Sequence, residues 1–371
     1  MPSQLVQWSA AAGLSLLLLA PPQAAAQDSP QPGPAAGDSA AVAAAPANGD
    51  AEAAAPATAE APADPFTMRI GARVQARYGH TMPHDGDAHG AIGIQRARLS
   101  ATGDAYQRFQ YALQLELAGE RARLIDANVR VPIAPLAEIW VGQGKTPFGR
   151  QQLNSSGNLQ FVDRSIANSR FTHGRDFGVM LQGQTDRFGY NAGLFNGEGL
   201  ATSANPGGKF MPVGRVYLTP FGAYNPSESA FDFPATPRLA LGVSAMHNPV
   251  GDGDLRTDIT RLGFEAAFKL RGMDLLGEYF TESAEVGGAG LDTNGWHAQL
   301  GYLLPGGNHS LAGRYAVVNL LEDAGQVETG IAYSYYLQQH RAKIQADFRN
   351  ISLRPVDTNT QQLRVQLQLT M

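Results

Sequence analysis

The end of the chain alternates so strictly that few folds can hold it. Leu363, Val365, Leu367, Leu369 and Met371 share one parity, while Arg364, Gln366, Gln368 and Thr370 share the other. Successive side chains of a strand point to opposite faces, so this segment has one apolar wall and one polar wall. A single strand of this kind suits the edge of a sandwich. The same alternation recurs along almost the whole chain, which predicts an all-β protein. The expected architecture is a transmembrane antiparallel β-barrel whose outer wall meets lipid and whose inner wall meets water.

Composition closes off other classes. Mean hydropathy is slightly negative, and no apolar run reaches the roughly 18 residues a spanning helix needs. The chain contains no cysteine, which excludes disulfides, thiolate metal sites and a cysteine nucleophile. Residues 10–20 form a short apolar core around Leu16, Leu17, Leu18 and Leu19, followed by Ala24, Ala25 and Ala26. This predicts a signal peptide over 1–26, cut after Ala26, although no Lys or Arg precedes the core. Residues 27–65 are Ala, Pro, Gly and acidic residues, too poor in large side chains to offset chain entropy, and read as a disordered periplasmic linker. That linker holds Asp28, Asp38, Asp50, Glu52, Glu60 and Asp64. Removing those six from the 33 acidic residues leaves 27 against 28 basic ones, so the barrel domain expected over 66–371 is near neutral.

Alternation marks the strands one by one. In 67–78, Met68, Ile70, Ala72, Val74, Ala76 and Tyr78 read as outward, with Arg69, Arg73, Gln75 and Arg77 inward. In 94–102, Arg96 and Arg98 read as inward. The next two strands set Gln110, Gln114 and Glu116, then Asp126, Asn128 and Arg130, inward, with Ile125, Ala127, Val129 and Val131 outward. Further strands are expected over 138–144 and 176–183 and around Ala192, Val216, Leu241, Phe264, Gly277, Ala298, Gly313, Tyr333 and Ile344. With the closing strand the total is about 16, an even number as bacterial barrels have. Trp296, Tyr302 and Phe348 are expected as outward interface anchors.

Connections should alternate between long and short. Long ones are expected at 79–90, 144–174, 196–209, 247–256, 281–293 and 319–326, with short ones between them. Two break the rule: 119–121 is brief and 219–237 is extended. The longest, 144–174, is too long for a hairpin, and a loop of that size is usually functional. It is expected to fold into the lumen as a third loop and set the constriction.

Several stretches carry a family likeness: Arg96 to Leu99, the run 141–149 (VGQGKTPFG), 175–179 (RDFGV), 190–197 (YNAGLFNG), Gly277-Glu278-Tyr279, and Gly295-Trp296 leading to Gly301-Tyr302. Together they resemble the phosphate-selective porin O and P family, and the likeness spans nearly all of 66–371. The resemblance implies a homotrimeric, 16-stranded outer-membrane channel in a Gram-negative-type bacterium. Small anions, phosphate among them, would be its solutes, and no cofactor would be needed. Its basic lumen falls on Arg69, Arg73, Arg77, Arg96, Arg98, Arg130, Arg215, Arg261, Arg314, Lys343, Arg349 and Arg364. Its constriction falls on the segment opening at Lys145, with Arg150, Arg164, Arg170 and Arg175. Only four lysines occur, Lys145, Lys209, Lys269 and Lys343, so any lysine-rich funnel of the family's founding members is not reproduced.

Other chemistry finds little footing. Gly144-Lys145-Thr146 ends like a phosphate-binding loop, but its leading glycine would stand at Ile139. His80, His84, Asp85, Asp87 and His89 lack a spacing that would gather metal ligands and read as a polar loop tip. Ser155, Ser156 and His173 form no nucleophile elbow, so neither a catalytic nor a metal site is expected. The inward arginines have two readings. In one they pair with Glu116, Asp126, Glu265, Glu278 and Asp347 as wall braces, each worth under about 1 kcal/mol in a wet lumen. Alternatively, the five cations Arg69, Arg73, Arg77, Arg96 and Arg98 on neighbouring walls draw anions. A general or organic-acid porin, or a barrel enzyme with a lipid-facing Ser/His pair, are the rival functions.

Overall fold

The computed structural model describes residues 65–201, 204–205, 207–251, 257–286, 289–320, 323–356 and 358–371. The expected signal peptide and all but the last residue of the expected linker lie outside them. The strands run β1 Arg69–Pro83, β2 His89–Ala105, β3 Phe109–Glu116, β4 Arg123–Ala134, β5 Ala137–Lys145, β6 Arg175–Gln184, β7 Phe188–Phe195 and β8 Met211–Leu218. They continue as β9 Arg238–Val250, β10 Thr257–Leu270, β11 Met273–Val286, β12 Ala289–Leu303, β13 His309–Asn319, β14 Gly325–Gln338, β15 Ala342–Arg354 and β16 Thr358–Thr370.

Each strand pairs with its chain neighbours, and β16 pairs antiparallel with β1, setting Leu369 opposite Val74 and Val365 opposite Tyr78. The sheet is therefore a closed sixteen-strand barrel, as the alternation predicts. Closure suits a sheet to lipid, because the ladder satisfies backbone N–H and C=O groups and leaves no edge facing hydrocarbon. The closing strand shows both walls: Leu363, Val365, Leu367 and Leu369 are exposed outside, and Arg364, Gln366 and Gln368 are buried inside. Trp296, Tyr302 and Phe348 stand outward as expected.

Three expectations need correction. Ile125 is not outward. The β3–β4 register slips so that Gln114 faces Asp126 while Leu115 faces Leu124. A β-bulge inserts Ile125 as the extra residue, fully buried, and Leu124 takes the lipid side. Second, the connection at 79–90 is mostly strand, since β1 runs to Pro83 and β2 starts at His89. Likewise β11 reaches Val286 and β12 begins at Ala289. Hairpin pairing continues past the alternating belt wherever a backbone partner persists.

Third, the inner wall is not uniformly wet. Trp140 (β5), Met180 (β6), Phe195 (β7), Met211 and Val213 (β8), Met246 (β9) and Phe280 (β11) form a buried apolar cluster. Phe148, Ile166, Ala167 and Phe171, from the connection 146–174, join it, as do Ala316 and Val318 of β13 and Leu320 just after it. Burying a phenylalanine side chain stabilises by roughly 2–3 kcal/mol. The long connection is thus packed like a small core, not laid loosely over water.

Candidate functional site

The connection 146–174 builds its own framework. It holds helix α1 (Arg150–Leu153), a 3-10 turn (Ser156–Asn158) and helix α2 (Ile166–Phe171). Ser155 Oγ accepts from Gly157 N, and Ser165 Oγ accepts from Asn168 N at 3.0 Å, the usual way to satisfy an exposed N–H at a helix start. Lys145 Nζ donates to the carbonyls of Leu153 and Asn154 at 2.6 and 2.9 Å. Arg164 donates to the carbonyls of Gln151 and Asn154 at 2.9 and 2.7 Å. Both cations tie the segment to itself.

Two sets of wall contacts then hold it. On one side, Glu278 of β11 accepts from the backbone N–H groups of Arg150 and Gln151 at 2.6 and 3.1 Å. Arg150 Nε meets Glu265 of β10 at 3.1 Å, and Arg170 forms a two-pronged pair with Glu282 of β11. Glu328 of β14 accepts from Ile166 N. On the other side, Asp163 receives Arg77 (β1) at 2.8 Å, Arg96 (β2) at 3.3 Å and Arg364 (β16) at 2.9 Å. Arg73 donates to Ser155 Oγ, Arg98 to Ser156 Oγ, and Val162 N to Asp347 of β15.

Two inward glycines of β12 supply sockets. A Cβ on Gly301 would lie 2.0 Å from the Gln160 amide, and one on Gly295 would lie 2.5 Å from the Phe171 ring. Gly295→Val should therefore push α2 off the wall. The expected readout is faster trypsin cleavage after Arg164 or Arg170 in the detergent-folded barrel; an unchanged digestion pattern would refute the socket.

The predicted cations fall into distinct groups. Arg98 is bound to Glu116, Arg175 to Asp126, Arg215 to Glu265, Arg261 to Glu282, Arg314 to Glu328 and Arg364 to Asp347. The bracing partners expected from sequence are therefore present, except that Glu278 takes His297 and the segment's own N–H groups. Lys343 Nζ donates to Leu159 O, and Arg349 Nε to Gln362. Arg69 and Arg130 stand towards the opposite rim, beside the β2–β3 and β4–β5 turns, and are not brought to the segment.

Charge is segregated between the walls. Arg73, Arg77, Arg96, Arg98, Lys343, Arg349 and Arg364 point in from β1, β2, β15 and β16. Glu116, Asp163 and Asp347 form ion pairs with members of this group. On β10 to β14 the inward acids Glu265, Asp274, Glu278, Glu282 and Glu328 gather instead. Asp163 lies in no periodic element, so alternation gave no sign of it. Burial acts to raise its pKa, but Arg77, Arg364 and Arg96 outweigh that and hold it well below the usual carboxylate range.

Glu265 joins Arg150 of the segment to Arg215 of the wall, all three buried. Glu265→Ala would strand two buried guanidiniums, and breaking such pairs costs about 3–5 kcal/mol. A clear drop in the urea midpoint of the detergent-folded barrel is expected; an unchanged midpoint would contradict it.

Ser155 and Ser156 face Arg73 and Arg98, while His173 pairs with Asp176 at 3.0 Å. Among the described residues no group of three or more His, Asp or Glu side chains is placed to hold a metal.

Residues 68–212, from β1 into β8, match the family model of phosphate-selective porin O and P, in line with the resemblance read from the sequence. Among solved structures, the anion-selective porin of Comamonas acidovorans is similar with a TM-score of 0.64 at 13% identity, covering 82% of this chain and all (100%) of that one. The outer-membrane channel DcaP of Acinetobacter baumannii gives 0.56 at 11% identity, over 82% and 97% of the two chains. The trimer form of OmpT from Vibrio cholerae gives 0.55 at 13% identity, over 82% and 100%. No curated protein matches by sequence. The fold is that of a porin barrel.

Proposed function

We propose that this protein is an outer-membrane porin, a passive diffusion channel for small anions such as phosphate or polyphosphate. The observation that carries the reading is the cationic excess on β1, β2, β15 and β16 beside the inward-packed segment. Guanidinium groups suit phosphate oxygens in two-pronged contacts, and a basic stripe between low-dielectric walls concentrates anions. Several weak contacts along a wall favour conduction over trapping, because an ion must leave as well as enter. The matched family and the anion selectivity of the Comamonas porin support the same solute class. A homotrimer, export through a signal peptide over 1–26, and a periplasmic linker over 27–65 belong to this proposal.

The second reading is a general or organic-acid porin. It is favoured by the pairing of Arg98, Arg215, Arg261, Arg314 and Arg364 with carboxylates, which leaves less net field than the arginine count suggests. Reversal potentials of single channels in a KCl gradient decide between them. A chloride-preferring potential with phosphate block supports the first, and an unselective one the second. Deleting 27–65 while keeping 1–26 is expected to leave conductance unchanged, since that composition cannot fold. A large loss of current from assembled protein would count against it.

A further inference from the structure

The connection 219–237, between β8 and β9, emerges from the rim opposite to 146–174, since β5–β6 and β8–β9 turns lie at opposite ends of an antiparallel barrel. It does not stay beside its own strands. Phe231 packs edge-on against Tyr336 and His340 at the β14–β15 turn, and Arg271 N, in the β10–β11 turn, donates to Pro234 O. Ser229 Oγ and Tyr336 hydroxyl lie 2.8 Å apart. The segment therefore reaches from its own strands across the mouth to β14.

At its inner tip it meets the constriction segment. Glu228 N donates to Asn158 O at 3.0 Å, and Glu228 carboxylate accepts from Gln160 N at 2.7 Å and from Gln151 Nε2 at 3.4 Å. Gln299 of β12 donates to the same carboxylate at 2.8 Å. Beside it, the Tyr224 ring lies between Arg150 of α1, 5.0 Å away, and Lys269 of β10, 5.3 Å away. Burial raises the Tyr224 pKa, so the ring stays neutral and faces both cations through its π-system. Glu228 is buried, and a buried carboxylate with this many donors is a fixed joint.

We propose that 219–237 is a second constriction element, entering from the rim opposite to 146–174 and latched to it through Glu228 and Tyr224. This rests on the porin reading above. The pore is then narrowed by two segments that fix each other, and Glu228 acts as a positioning residue for the first. The sequence marked 219–237 only as a turn too long for its place.

Replacing 222–236 by a short Gly-Ser linker tests the idea, with heat-modifiable mobility as the check on folding. Single-channel conductance in KCl is expected to rise about threefold, because the narrowest part dominates the resistance of a pore. A second variant, Asn158→Cys with Glu228→Cys, introduces a unique thiol pair into a cysteine-free chain. Its oxidised form should conduct like wild type, and reduction should raise conductance. If wild type conducts and neither change alters conductance, the second constriction is wrong and the porin reading stands. If wild type is silent and the deletion conducts, 219–237 is a plug, and both the second constriction and the passive-channel reading are overturned. If neither conducts in folded form, both readings fall.

Discussion

Arg73→Glu combined with Arg349→Glu is expected to turn a chloride-preferring channel into a potassium-preferring one. Arg73 stands on β1 beside Ser155 and Ser156, and Arg349 stands on β15 with Gln362 as its hydrogen-bond partner. Arg73 donates to serine hydroxyls and Arg349 to an amide oxygen, and changing them leaves in place the ties of Asp163 to Arg77, Arg96 and Arg364. A unit charge about 6 Å from a permeating ion contributes roughly 1–3 kcal/mol between the limits of bulk water and a protein surface. Two reversals on one wall should therefore shift the permeability ratio by at least about tenfold. Arg73→Gln with Arg349→Gln should fall between, and phosphate block of chloride current should weaken in the same order. If wild type already prefers potassium, or if the double Glu protein keeps the wild-type reversal potential, the cationic wall does not select the solute.

The wall was legible and the lumen was not, for physical reasons. Period-two alternation assigns a face to every strand residue, so Arg364, Gln366 and Gln368 could be placed inside and Leu363, Val365 and Leu367 outside before any coordinate. One extra residue defeats the rule locally: the bulge at Ile125 shifts the parity and buries a residue that reads as outward. Alternation also says nothing of what an inward side chain meets. Trp140 and Phe195 have inward places and look like lapses in the pattern, yet they are the seat for Phe148 and its neighbours. Gly295 and Gly301 were noticed as parts of a motif, while their use as sockets for Phe171 and Gln160 depends on a segment far away in sequence. Asp163 and Glu228 lie in irregular backbone, where no period exists to expose them. The signal available for both was indirect: Asp163 sits in the longest expected connection, 144–174, and Glu228 in 219–237, which was too long for its place.

Asp163→Asn is expected to tighten phosphate block of chloride current by about tenfold, roughly the value of one freed charge-assisted contact. Its carboxylate stands among Arg77, Arg96 and Arg364, within 2.8 to 3.3 Å of each, and so occupies the place a permeating anion would take. Asparagine keeps the shape and one accepting oxygen but removes the tethered charge, leaving that wall more positive. Arg364 retains Asp347 at 2.7 Å, and Val162 N remains bonded to Asp347, so the segment keeps part of its attachment there. The proton linkage has a definite sign. The folded-state pKa of Asp163 is depressed, so its contribution is fully present above the ordinary carboxylate range and is lost only as pH falls through the lower, folded value. Wild-type conductance should accordingly hold steady from about pH 7 to about pH 5, with any Asp163-linked change confined to stronger acid. A purely mechanical role predicts something different: noisier and larger currents in the Asn protein with phosphate block unchanged. That outcome would make Asp163 an anchor of the constriction and nothing more.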